Sequence, residues 1–284
     1  MWILIGSVLL LIVVMGLGWV GGTLIHRAIE KRTKSDAEEE KQLERMTDTI
    51  AFVSGAVGIL LGLLLSISVG EFQDTQNNIK QLGTDALATF SASESFDEAD
   101  REDIQRDVVC GLRSFINHDW KLTGDAQADG SQQTTLWMMK LHDDVANLPI
   151  DTTQQSESYS VLVDKALDLA NSRHLILSSS MATIPMVIWI VIYFSAFVLS
   201  LLLTLHLADR KILAWVSLSV SFGTLAVVIV ALTALDYPLQ NLGVGTPTST
   251  QVLTNELESL EWQYPGNTWT ECPELTVESA NTSD

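Results

Sequence analysis

The stretch SGAVGILLGLLLSISVGE, Ser54 to Glu71, decides how this chain is read. It is apolar enough to lie in hydrocarbon, yet Ser54, Gly58, Gly62, Ser66 and Gly70 place a small residue at every fourth position. On a helix that spacing makes one nearly straight stripe, with Leu and Ile covering the rest of the surface. Helices in lipid associate by close packing rather than by the hydrophobic effect, and stripes of small residues allow it. The stripe therefore predicts contact with another helix of the chain, or with a neighbouring subunit around an axis. A third reading leaves the small residues as room for a pore beside this helix.

Working outward, three more stretches share this character. A bilayer core takes about 20 apolar residues of helix, and 1–25, 50–69, 184–205 and 212–235 contain no Asp, Glu, Lys or Arg. The chain is 47% hydrophobic with a positive mean hydropathy, yet its net charge is -19. The two facts fit because apolar and acidic residues are segregated along the sequence. The expected fold is an all-α integral membrane protein. Four transmembrane helices form two hairpins, with an α-helical extramembrane domain, 70–183, between spans two and three, and an acidic tail over 236–284. The first stretch is read as a retained span, because its basic residues (Arg27, Lys31, Arg32, Lys34) follow it instead of preceding it as in a signal peptide.

Lys and Arg near the spans set orientation. The charged loop 26–49 carries six of them and the short turn 206–211 carries Arg210 and Lys211, which places both in the cytoplasm. The N-terminus, 70–183 and the tail then lie outside a multi-pass inner or plasma membrane protein. Segment 70–183 has 19 acids against 8 bases, and the tail has 8 acids and no base. The two cytoplasmic loops are together neutral, so the whole charge of -19 falls on one side. A solvated surface and a functional field both fit it, since exposed charges are screened within about a Debye length.

Cys110 and Cys272 both fall on the outer side, where a disulfide between the middle domain and the tail is permitted. Two unpaired thiols fit equally well, because two cysteines make no pattern. Within the outer domain, Ile79, Leu82, Ala86 and Phe90 extend the second span as an apolar stripe, interrupted only by Gly83. The spacing predicts one long helix leaving the bilayer. Ser95 and Glu98 are spaced as a capping box ahead of a helix whose face is Ile104, Val108, Leu112, Phe115 and Ile116. Further helices are expected from about Thr134 to Leu148, from about Ser158 through Leu162, Ala166 and Leu169, and around Leu253, Leu257 and Leu260. Pro238, Gly243, Gly245 and Pro247 mark a turn segment after the fourth span.

Catalytic signatures are lacking. His142 beside Asp143 and Asp144, and His118 beside Asp119, are sequence neighbours that point to different sides of a helix, so both are read as exposed polar faces. No phosphate-cradling loop, HExxH or paired-Cys motif is present, so no enzyme, metal or cofactor is expected. The spans hold no ionisable residue, which disfavours a pump or proton-coupled transporter. They hold hydroxyls instead: Ser217, Ser221 and Thr224 on the fourth, Ser195, Ser200 and Thr204 on the third. These could line a narrow path as pore hydroxyls or make interhelical hydrogen bonds. His206, at the cytoplasmic end of the third span, is read as hydrated beside Asp209, Arg210 and Lys211.

Several segments together resemble one family. GILLGLLLS in the second span, Arg113 and Trp120 in GLRSFINHDW, SRHLILSSSMATIPMVIW at the third span and LDYPLQNLGVGTP after the fourth are similar to the bestrophin-like bacterial membrane family. The likeness covers about Gly55 to Leu253 and departs at NNIKQLG, where relatives tend to carry a Glu-Ala-Asn run. It implies a four-span membrane protein, a homo-oligomer and, by the family name, an anion channel. The acidic outer face argues for cations instead. A different class also fits: a non-conducting structural or sensory membrane protein whose acidic outer domain binds a partner or cations. The partners expected are the lipid bilayer, further copies of the chain and inorganic ions, with no nucleic acid.

Overall fold

The computed structural model describes residues 2–30, 36–124, 130–179, 184–207, 211–237, 239, 250–263 and 272–276. Among them the secondary structure is entirely helical. In chain order the α-helices are α1 (Trp2–Glu30), α2 (Asp36–Ala92), α3 (Glu98–Ser114), α4 (Trp120–Gly124) and α5 (Gln132–Ala146). They continue as α6 (Thr153–Ser178), α7 (Met186–His206), α8 (Lys211–Asp236) and α9 (Gln251–Gln263). A 3-10 turn, Ser93–Ser95, follows α2, and a π-helical turn, Phe115–Asp119, joins α3 to α4. Four helical stretches are long and apolar enough to cross a membrane: Leu4–Ala28, Thr47–Ser95, Met186–His206 and Ile212–Asp236. The turn segment marked by Pro238, Gly243, Gly245 and Pro247 lies outside the described residues.

The chain divides into two compact units, Met1–Glu71 with Ala182–Asp236, and Phe72–Met181 with Tyr237–Asp284. In the first unit, the main partners of α1 are α7 and then α8. Gly18 and Gly22, the GxxxG pair of α1, make the α7 contact possible. A Cβ on Gly18 would stand 2.7 Å from the Phe197 carbonyl oxygen, and one on Gly22 would stand 2.8 Å from Thr204 Cβ. The helices run parallel, because Tyr193 Oη donates to the Ser7 carbonyl (3.2 Å) and Ser200 Oγ to the Met15 carbonyl (2.8 Å). At the other end Asp236 closes α8 by accepting from the Ile184 backbone N–H at 2.8 Å, so α8 runs back along α7. Leu11, Met15, Leu61, Leu64, Ile192, Leu199, Ile229 and Leu232 form the common core.

The second unit buries the apolar faces that the sequence marks. Ile79, Leu82, Ala86 and Phe90 of α2 meet Ile104, Val108, Leu112 and Phe115, with Leu162, Leu169 and Ile176 of α6 and Leu253, Leu257 and Leu260 of α9. Each of the Leu, Ile, Val and Phe side chains contributes about 1.5–3 kcal/mol of burial. Gly83, which weakens the helix locally, is where α9 comes close: its Cβ would lie 3.3 Å from Leu253 Cδ2 and Glu256 Cγ.

The expected capping box at Ser95 and Glu98 does not form. The N-cap of α3 is Asp97, with no side-chain cap bond. Ser95 lies in the preceding 3-10 turn, two residues too early to reach the helix, and its Oγ pairs with Ser158 Oγ at 2.9 Å. A reciprocal box does form at α6, between Thr152 and Gln155.

Candidate functional site

The α2 stripe is the first candidate. Leu61, Leu64 and Ser68 are the buried positions of this part of α2, and they define the side turned to the chain's own helices. Ser54, Gly58, Gly62 and Ser66 are exposed and Gly70 is half-buried. A Cβ added to Gly58, Gly62 or Gly70 would meet no heavy atom within 4 Å. Among the described residues, no other helix of the chain packs on these glycines. The stripe is an exposed face of α2 among the described residues.

The hydroxyls behave differently. Thr224 is exposed and donates to the Val220 carbonyl at 3.0 Å, within its own helix, while Ser217 and Ser221 are half-buried. Ser200 and Thr204 are buried at the α1 contact, and Ser195 donates to the Val191 carbonyl. His206 is half-buried, and its Nδ1 has no hydrogen bond among the described residues. Two cavities of about 270 and 390 Å³ among the described residues are not lined by Ser217, Ser221 or Thr224.

Cys110 and Cys272 are joined by a disulfide that ties α3 to the segment 272–276. The same segment is held by Gln133, whose Nε2 donates to the Leu275 carbonyl (2.8 Å) and whose Oε1 accepts from the Leu275 N–H (3.0 Å). Leu275 packs with Leu136 and Trp137, and Arg113 Nη1 approaches Cys272 Sγ at 3.6 Å. Beside the disulfide opens the cavity of about 270 Å³, lined by Arg113, Asn117, His118 and Glu274 among others.

Three carboxylates are buried in the second unit, Asp85, Asp107 and Asp119. Asp119 was expected on an exposed face with His118. His118 is exposed, but Asp119 is fully buried. Its Oδ2 accepts from Arg173 Nε at 2.7 Å and its Oδ1 from the Ser131 N–H at 2.6 Å. The π-helical turn shifts the register by one residue and carries Asp119 inward. Gly130, at φ 69°, lies under the same arginine, since a Cβ there would stand 2.5 Å from Arg173 Nη2. Asp85 accepts from Gln81, Lys165 and Ser172. Asp107 accepts from Lys140 Nζ at 3.2 Å, and the same ammonium pairs with Asp144. Burial first, and then a hydrogen bond with Asp144, push the Asp107 carboxyl up to about 8 against the opposing pull of Lys140. The signal available in the sequence was position. Asp85 lies three residues after Leu82, and Asp107 three after Ile104, so both sit on apolar faces. No group of three or more metal-ligating side chains occurs among the described residues.

A family model described as the Bestrophin-like domain matches residues 4–241. Among solved structures, a bacterial Bestrophin homolog from Klebsiella pneumoniae is 13% identical and superposes with a TM-score of 0.64, covering 90% of this chain and 99% of that one. A point variant of that homolog gives 12% identity and 0.63, over 89% and 98% of the two chains. A further crystal structure, described only as a membrane protein variant, is 13% identical with a TM-score of 0.61 over 94% and 99%. No curated protein matches the sequence. At such identities the superpositions show a shared fold. The family model, which spans most of the chain, shows more: this multi-pass, all-helical membrane protein belongs to the bestrophin-like family.

Proposed function

We propose that the protein is an ion channel assembled from several copies of the chain, with α2 nearest the shared axis. The observation that carries this reading is the exposed face of α2. Ser54, Gly58, Gly62, Ser66 and Gly70 form a stripe suited to close helix contact, yet none of the described residues packs on its glycines. In this arrangement the four spans form two hairpins, and 26–49 and 206–211 face the cytoplasm. The N-terminus, 70–183 and 236–284 lie outside. The disulfide supports that orientation, because such bonds persist in oxidising compartments. A net charge of -19 per chain on the outer side gathers cations at a pore mouth and so supports cation passage.

The test is the purified protein in a planar bilayer under a salt gradient. A current that reverses toward the cation potential is expected. Reversal toward the anion potential would overturn the electrostatic half of the proposal. Silence from a folded oligomer would overturn conduction and leave a scaffold or sensor, whose acidic outer unit binds cations or a partner. Ser217→Ala with Ser221→Ala changes the current only where these hydroxyls line the path.

A further inference from the structure

A second open feature of the membrane-crossing unit is a groove of about 390 Å³ between α1 and α8. Its walls are Ile12, Gly16 and Trp19 on one helix and Trp215, Ser219 and Phe222 on the other, the same positions at i, i+4 and i+7 on each. The middle of each wall is small. Gly16 has open space where a Cβ would stand, and Ser219 is exposed. The floor includes Ser200 of α7, whose hydroxyl is already bonded to the Met15 carbonyl. The groove is therefore apolar and floored by the chain's own helices. Ile12 to Trp19 makes it about 10 Å long.

One end of it differs from the other. Trp19 and Trp215 meet there, with ring centroids 5.4 Å apart. Tryptophan favours the membrane–water interface. Because α7 runs parallel to α1 and α8 runs back along α7, this is the end at which α1 and α7 finish and α8 begins. Arg27 is exposed about 12 Å beyond Trp19, and Lys211 opens α8 about 6 Å beyond Trp215. Next to these helix ends the sequence places Lys31, Arg32, Lys34 and Arg210, against Glu30 and Asp209. An apolar trough thus rises past an aromatic pair toward Arg27 of α1 and Lys211, the first residue of α8.

We infer that this groove is a lipid-binding site. It holds one acyl chain of an anionic glycerophospholipid, with Trp19 and Trp215 beside the glycerol region and the headgroup phosphate at the end that carries Arg27 and Lys211. Charge complementarity selects the headgroup, since each Lys or Arg near the surface favours an anionic lipid severalfold. The small residues at Gly16 and Ser219 leave the width that the chain needs.

The full-length protein, purified in detergent, is titrated with phosphatidylglycerol carrying a brominated acyl chain while tryptophan emission is read. Brominated phosphatidylcholine is titrated in parallel. Saturable quenching is expected, at about fivefold lower concentration for phosphatidylglycerol. It should be lost from a Trp19→Phe, Trp215→Phe variant and at least halved by Gly16→Leu with Ser219→Leu, which fills the trough. Arg27→Gln with Lys211→Gln leaves the groove open and should abolish only the headgroup preference. Undiminished quenching in the filled variant overturns the site, and equal half-saturation for the two lipids overturns the anionic assignment. If the filled variant instead changes the mass of the detergent complex in light scattering, with its lipid titration unaltered, the trough takes a second copy of the chain and the proposal fails.

Discussion

Asp107 sits where a carboxylate is least at home. It is 1% exposed, and one of its oxygens has no partner among the described residues. The single ammonium that reaches it, Lys140, is shared with Asp144. One positive charge against two carboxylates in a poorly solvated place favours a bound proton, which is why the carboxyl rises to about 8. Its ordinary value is 3.8, so between those values the folded chain holds a proton that the unfolded chain releases. The contribution of this group to stability is then complete below pH about 4 and is lost as pH rises toward 8. Thermal unfolding of the solubilised protein should show its midpoint falling from pH 5 to pH 8 more steeply than in Asp107→Asn. The variant keeps the shape and removes the titration, so parallel curves would show that Asp107 is ionised throughout. Asp119 gives a second case. Its partner Arg173 lies on a different helix, and no local spacing in the sequence predicts the pair. Gly130→Ala should loosen this pair, costing about 1 kcal/mol or more because the residue needs a positive φ and lies against Arg173.

At the scale of elements, two helices carry the same pattern of small residues and use it differently. Gly18 and Gly22 on α1 are buried against Ser200 and Thr204 of α7, whereas Gly58 and Gly62 on α2 face open space. Leucine at Gly18 or Gly22 must displace backbone or Cβ atoms of α7, so it should unfold or misassemble the protomer itself. A Cβ at Gly58 or Gly62 meets no described residue within 4 Å. Leucine at both should leave the protomer folded, by circular dichroism and melting, while reducing the oligomer to smaller species in light scattering. An unchanged oligomer would remove α2 from the subunit contact. Periodicity gave the apolar faces of α2, α3, α6 and α9 correctly because those faces are local properties of one helix, as Leu82, Val108, Leu162 and Leu257 show. Which stripe meets which partner is not local. It depends on Ser200 and Thr204 being small at the matching level of a helix far along the chain, and two such stripes look equivalent until the bundle is formed. The cap of α3 failed for a related reason: a 3-10 turn after α2 moved the helix start past Ser95.

For the whole molecule, two independent features bear on which side of the membrane the acidic part occupies. The first is the distribution of Lys and Arg, with six in 26–49 and none in 236–284. The second is the bond between Cys110 and Cys272, which are 162 residues apart in sequence. Closing so long a loop removes much entropy from the unfolded chain, which by the chain-entropy model makes the bond worth about 5 kcal/mol at most. Such bonds persist in oxidising compartments and are rare in a reducing cytosol, so the bond bears on the location of the second unit. Cys110→Ser with Cys272→Ser should lower the stability of the second unit by about 2–5 kcal/mol and free the segment around Leu275 for proteolysis. The same residues test the orientation in intact cells. A membrane-impermeant phosphine followed by an impermeant maleimide should label the protein without permeabilisation, and the double serine variant should stay unlabelled. Labelling only after the membrane is opened would place Cys110 and Cys272 inside. The charge of -19 would then face the cytoplasm, and a cation-gathering vestibule would have to be sought at the inner mouth of any pore.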